Sequence, residues 1–243
     1  MSGPGMAPDP HCMATAEACA ACEARPFSIC APLSGHELAE LDRLSTTLHL
    51  KPGATFIHEG DPTEHCFNIT QGSAKIYKLL PDGRRQIIGF LFTGDFLGTT
   101  ATGPYSVSAE AMTSLTLCRF ERRAFKEALV RLPNLERALL DRTADELEAA
   151  REQMLLLGRK AARERVASFL LGLSRRAARL GRSADPIHLP MGRSDIADYL
   201  GLTTETVSRV FTQLRTEGLI RLNGTSEVHL LRRTALESLC EGA

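Results

Sequence analysis

The chain has 243 residues, 43% of them hydrophobic and 24% charged, and its 29 Lys and Arg balance its 29 Asp and Glu. That is enough apolar matter for one large or two modest domains, and zero net charge does not mark the whole molecule as a partner for polyanions. No apolar run approaches the ~18 residues of a membrane span, and no Lys or Arg precedes Arg25, so a secretion signal is not expected either. A cytoplasmic protein without a membrane partner is predicted.

The first stretch, 1–34, reads as a cysteine-rich arm. Its opening residues, to about position 18, are rich in Gly, Pro, Ala and Met and are expected to be mobile. HCMATAEACAACEARPFSIC (residues 11–30) holds four of the seven cysteines: Cys12, Cys19, Cys22 and Cys30. It shows no apolar periodicity and little to bury. In a reducing cytoplasm, crowded thiols bind metal or sense redox state more often than they form structural disulfides. Spacing alone leaves tetrahedral zinc and an iron–sulfur cluster equally open. Cys66 lies in a strand pattern and reads as a small buried hydrophobe. Cys240 lies near the C-terminus, and His36, His49, His58 and His65 show no paired ligand spacing.

Residues 35–132 form the second unit. From about residue 46 the text turns to short β-branched and aromatic runs, such as ATFIHEGD, FNITQGSAKIYKLL and SLTLCRF, broken by glycine turns. LPDGRR has the Pro-Asp-Gly centre of a hairpin turn. A small antiparallel barrel or sandwich is expected.

After Pro133 the period becomes helical, and 133–162 reads as one long helix. Leu140, Thr143, Leu147, Ala150, Met154 and Leu157 follow a 3, 4, 3, 4, 3 spacing, a narrow heptad seam with charged flanks. Packing on the same chain is one reading. A two-helix coiled coil between subunits fits the narrow seam better, with Leu140, Leu147, Ala150, Met154 and Leu157 at the interface. A second helix, ARERVASFLLGLSRRAARLG, stops at Gly181.

The last unit, 163–243, carries twelve Arg and no Lys against nine acids, so the basic surplus sits here. RSDIADYLGLTTETVSRVFTQL has helix-turn-helix spacing: small Ala197, then Gly201 for the tight turn, then Val207 facing inward. Thr203 or Thr204 can N-cap the second helix. GLIRLNGTSEVHLL reads as a hairpin wing around Asn223-Gly224. On the recognition helix Thr204, Glu205, Ser208 and Arg209 fall on the outer face. Arg209 can take guanine bidentately, Glu205 can accept from cytosine, and Ser208 is a short adaptable partner. An i, i+4 ion pair between Glu205 and Arg209 is also expected. Arg193 and Arg215, if they touch DNA, would meet phosphate.

A glycine-turned β-roll, a long dimer helix and a C-terminal winged helix together resemble the CRP/FNR family of bacterial transcription regulators. PNLERALLDRTADELEAAREQMLLLGRKAARERVASFLLGLSRR and DIADYLGLTTETVSR are especially similar to the FNR branch. The resemblance implies an α+β fold, no enzymatic activity, and a homodimer on double-stranded DNA. Glu205, Ser208 and Arg209 would read TTGAT-type half-sites of a palindrome, with RNA polymerase as a partner. It further implies a [4Fe–4S] cluster on Cys19, Cys22, Cys30 and Cys118, the last in LTLCRF, with Cys12 as a conceivable substitute. Oxygen would destroy the cluster and switch binding off. The spacing Cys19-x2-Cys22-x7-Cys30 is similar to that of FnrL-like members. Cyclic-nucleotide-binding members carry a phosphate-pocket arginine. The matching stretch here, GDFLGTTATGPYSVSAEA (residues 94–111), has no Lys or Arg, so no cyclic nucleotide is expected. A regulator of this fold using haem, zinc or thiol oxidation remains an alternative, as does a non-DNA-binding iron–sulfur redox protein.

Overall fold

Period-two patterning becomes strand wherever the chain can reverse tightly. The computed structural model describes residues 19, 21–98, 103–181 and 183–241. Its N-terminal half contains β1 (Ser45–Leu50), β2 (Thr55–Ile57), β3 (His65–Gln71), β4 (Ser73–Leu79), β5 (Arg85–Phe92), β6 (Phe96–Leu97), β7 (Ser108–Ala111) and β8 (Leu115–Glu121). They form two four-stranded sheets, ordered β1-β8-β3-β6 and β2-β7-β4-β5, paired antiparallel throughout. Phe67, Ile69 and Leu117 of the first sheet meet Ile57, Ala74 and Ala109 of the second in one apolar core. This is the expected roll.

Because side chains alternate along a strand, the neighbours of those core residues face the other way. Cys66, Cys118 and Phe120 pack on the outer side of the first sheet, against Ile29, Leu33, Leu38 and Leu41. This second core corrects the expectation that the cysteine-rich stretch has little to bury. Ala24 and Ile29 are fully buried and Leu33 nearly so. The stretch folds as a run of tight turns around a 3-10 turn at Arg25–Phe27. Such a coil presents apolar residues at irregular intervals, so it leaves no period in the sequence. It ends in α1 (Gly35–Arg43), where Ser34 and Glu37 close a capping box. Residues 1–18, Cys12 included, lie outside the described residues.

After α2 (Arg122–Arg131) comes α3 (Pro133–Arg159), with proline in its first turn. Its 27 residues span about 40 Å. Leu135 and Leu156 are buried near its two ends. The remainder of the chain forms α4 (Ala162–Arg179), β9 (Ile187–His188), α5 (Arg193–Leu200), α6 (Thr204–Thr216), β10 (Ile220–Asn223), β11 (Glu227–Leu230) and α7 (Arg233–Cys240). Gly201 has φ +62°, the left-handed turn the helix pair needs. The strands order β10-β11-β9, and the β10–β11 hairpin is the wing. Ile196, Ala197, Leu200, Val207, Val210 and Leu214 fill the core between α5 and α6.

Candidate thiol site and DNA interface

Cys118 sits on β8, paired with Thr47 of β1 on one side and Asn68 of β3 on the other. The coil from Cys19 to Leu33 lies over this face, so Cys19, Cys30 and Cys118 pack against the same apolar core. Cys118 lies within electrostatic reach of Cys30 and Cys22, and Cys19 within reach of Cys118 and Cys30. The four cysteines therefore lie near one another without closing on a common point. Burial pushes the Cys30 thiol up to about 11 and the Cys118 thiol up to about 12. Burial, together with a 3.0 Å hydrogen bond from its Sγ to Asp42 Oδ1, raises Cys19 strongly. These are protonated thiols at neutral pH, and a metal must displace their protons to bind. Among the described residues, no three His, Cys, Asp or Glu side chains converge as ligands of a single ion must. Cys19, Cys22, Cys30 and Cys118 would supply the four thiolates that an iron–sulfur cluster takes.

Cys66 is buried, its thiol pushed up to about 12 by burial. Cys240 packs in the C-terminal core at the opposite end of the molecule. His49 meets Thr116 at 3.2 Å and His58 lies 3.6 Å from Asp61.

The C-terminal domain presents α6 at its surface. Thr203 is the N-cap, its hydroxyl accepting from the Thr206 N–H at 3.2 Å. Thr204, Glu205, Ser208 and Arg209 are all exposed, while Val207, Val210 and Phe211 are buried. Arg209 donates to Thr206 Oγ1 at 3.4 Å instead of pairing with Glu205, so both side chains remain available to base edges. Arg193 departs from expectation. Its guanidinium stacks 3.5 Å over the Phe211 ring, half-buried, and burial lowers its pKa. It holds α5 to α6 and is not a free phosphate ligand.

On α3, Leu140, Leu147 and Met154 are 64%, 51% and 66% exposed, with Leu155 beside them at 64%. Thr143 and Ala150 lie exposed on the same helix. Leu157 is turned away and packs on the C-terminal core. The helix is entering that domain there, and Arg165 donates to the Leu157 carbonyl at 2.9 Å.

Two polar junctions tie these parts together, and sequence reasoning missed both. Asp195 of α5 accepts from Lys75 at 3.1 Å and Arg85 at 2.7 Å, and Arg85 Nε donates to Asp198 at 2.9 Å. Phe90 packs against Tyr199 with ring centroids 5.2 Å apart. The first helix of the DNA-binding pair therefore rests directly on the β4–β5 hairpin. In the second junction, Arg142 of α3 donates to the carbonyls of Phe27, in the cysteine-rich coil, and of Gly94. Asp95 accepts from Arg176 of α4 and lies 3.9 Å from Arg142. A Cβ on Gly94 would stand 2.7 Å from the Phe27 carbonyl oxygen, so only glycine lets the coil approach this turn. The partners are 47 to 120 residues apart, and no local pattern announces them.

Comparison with known proteins agrees with this architecture. Residues 47–131 match the model of the cyclic nucleotide-binding domain, and residues 164–239 that of the Crp-like helix-turn-helix domain. The nitrogen fixation regulation protein FixK of Bradyrhizobium diazoefficiens is 44% identical over 204 residues, 84% of this chain and 86% of its own. The transcriptional activator protein FnrL of Cereibacter sphaeroides is 40% identical over 214 residues, 86% of either chain. The structure of FixK2 from Bradyrhizobium japonicum superposes with a TM-score of 0.75 at 38% identity, covering 80% of this chain and 96% of that one.

Proposed function

Because the chain belongs to the CRP/FNR family of transcription regulators, we propose that it is an oxygen-responsive member, gated by a [4Fe–4S] cluster on Cys19, Cys22, Cys30 and Cys118. Membership makes it a DNA-binding regulator and not an enzyme. Its relatives' names range from nitrogen fixation regulation to transcriptional activation, so the signal must be argued from this chain's residues. One observation supports it: Cys19 and Cys30 pack with Cys118 on a shared apolar floor, and Cys22 lies within electrostatic reach of Cys118. Four thiolates are the donor set such a cluster requires. When bound, the cluster supplies an oxygen-labile cross-link among these four side chains. The roll has no cation in residues 94–111 for a cyclic phosphate, which favours the thiol site as the place where the signal enters.

The chain's own contacts then carry the signal outward. The coil bearing Cys30 hands Arg142 the Phe27 carbonyl, Arg142 lies on the helix with the exposed leucine seam, and Asp95 reaches on to Arg176 in the DNA-binding domain. Ordering the coil therefore biases both the seam and the recognition helices. Two recognition helices of a dimer, roughly 34 Å apart, would read the two halves of a TTGAT-type palindrome in the cytoplasm. The exposed hairpin tip at 80–84 offers RNA polymerase a contact surface.

The test is anaerobic purification followed by metal and sulfide analysis. About four irons and four sulfides per chain are expected; stoichiometric zinc without sulfide would overturn the reading. Two variants probe the output. Asp95→Asn weakens the hold on both Arg142 and Arg176, and should keep the iron and sulfide content. It should shrink the difference in DNA affinity between loaded and stripped protein by about tenfold, within the usual range of allosteric coupling. Titrating both forms with labelled operator measures it. Arg209→Ala should cost about 1–3 kcal/mol of discrimination per half-site. At one fixed salt concentration, the palindrome and its guanine-substituted counterpart are compared. Equal weakening on both DNAs would make Arg209 a backbone contact.

A further inference from the structure

Asn68 is 3% exposed, and its Oδ1 is buried with no hydrogen-bond partner. A buried amide oxygen left without a donor is costly. On β3 it stands directly opposite Cys118 of β8, and on its other edge opposite Phe96 of β6. Side chains directly opposite on antiparallel strands share a face, with Cβ atoms about 4.5–5.5 Å apart. Cys66 and Phe120, also opposite each other, place that face in the apolar core under the cysteine-rich coil. The neighbours Phe67 and Ile69 face the interior of the roll. Asn68 is therefore a polar group on the floor of the thiol site, beside Cys118 and on the face that carries Cys66 and Phe120.

We propose that Asn68 is a positioning residue for the cluster: its side-chain amide donates an N–H to the sulfur of Cys118 when that sulfur is a thiolate bound to iron. The inference rests on the reading of Cys118 as a ligand. An amide carries both an acceptor and two donors on one rotor. Among the described residues Oδ1 has no partner; the NH2 end is the one complementary to a thiolate, and an apolar side chain would offer it no donor. Hydrogen bonds to the sulfurs are among the levers that set cluster potential, and outer partners of metal ligands hold them in orientation. A donor to Cys118 withdraws negative charge from the iron it holds, which makes oxidation harder. Asn68 thus tunes how readily oxygen is sensed, without being a ligand.

The experiment uses the full-length protein, reconstituted anaerobically with ferrous iron and sulfide. Asn68→Leu keeps the size of the side chain and removes the donor. It should bind iron and sulfide at the wild-type ratio, show a lower reduction potential, and lose its visible absorbance in air about tenfold faster, the lower end of typical outer-partner effects. Wild-type decay and an unchanged potential in that variant would overturn the proposal while leaving the ligand set intact. If wild-type protein takes up no sulfide, the ligand reading fails and this inference falls with it. Should Asn68→Leu not fold, the wild-type protein still decides. Its asparagines are Asn68, Asn134 and Asn223; Asn134 bonds Glu37 at the start of α3, and Asn223 bonds Glu227 on the wing. Magnetic coupling between the reduced cluster and isotopically labelled asparagine side-chain nitrogen can therefore come from Asn68. Its presence supports the N–H to sulfur bond, and its absence overturns it.

Discussion

Replacing Cys118 by Ser is expected to give a folded, colourless protein that no longer distinguishes its operator from other DNA. Serine is close in size to cysteine, and Cys118 is only partly buried on β8, so the roll loses little packing. What it loses is the one ligand supplied by the folded sheet. A hydroxyl at neutral pH does not substitute for a thiolate, and three cysteines do not complete the four-ligand set. The coil from Cys19 to Leu33 then rests on its buried Ala24, Ile29 and Leu33 and on the Arg142 contact, without a cross-link to β8. Iron and sulfide should both fall to background in anaerobically purified protein. Operator affinity should fall toward the non-specific level, about 10³-fold or more. Cys19→Ser, Cys22→Ser and Cys30→Ser should behave alike. Cys66→Ser and Cys240→Ser should retain the chromophore, because the Cys66 thiol is buried against the Phe120 carbonyl and Cys240 packs on the C-terminal core. A brown Cys118→Ser protein with full sulfide content would remove Cys118 from the ligand set.

The parts legible from sequence are those whose determinants are local. The helix-turn-helix announces itself through Gly201, the Thr203 cap and three inward residues within a dozen positions, and the structure places each where that pattern requires. The outward placement of Thr204, Glu205, Ser208 and Arg209 follows from the same 3.6-residue period. The hairpin at Pro81-Asp82-Gly83 and the wing at Gly224 are likewise short-range. What stayed hidden is set by pairing between distant segments. That Asn68 faces Cys118 depends on the register of β3 against β8, and register answers to the whole sheet. Arg142 and Arg176 look like ordinary solvated charges on amphipathic helices until the fold brings Gly94 and Asp95 to them. Arg193, whose charge suggested phosphate, is taken by an aromatic ring that only tertiary packing supplies. Leu157 fits the heptad spacing but belongs to the domain its helix is about to enter.

Leu147→Asp should convert the dimer into a monomer while leaving iron and sulfide content near normal. In the single chain Leu147 is 51% exposed, and residues 140–155 belong to none of the apolar cores among the described residues, so the substitution does not disturb those cores. The exposed row of Leu140, Leu147 and Met154 runs for two heptads along one side of a helix about 40 Å long. A solvated helix does not maintain such a stripe, whereas a two-fold coiled coil buries it. Near the middle of a symmetric seam, each introduced carboxylate would meet its own copy. An unpaired charge in an apolar interface costs about 3–5 kcal/mol, so the pair costs about 6–10 kcal/mol if the two copies add. That exceeds a factor of about ten thousand in the dimer constant, enough to dissociate it at micromolar concentration. Operator binding should fail with it, because one recognition helix reaches one half-site. The thiol site is built on the outer face of the first sheet, under the coil whose Phe27 carbonyl Arg142 holds, and should still take up metal. Sedimentation of the anaerobic variant beside wild type separates the outcomes. A Leu147→Asp protein that stays dimeric would move the interface off α3, and one that is monomeric but stripped of iron would show that dimerisation is a condition for loading the thiol site.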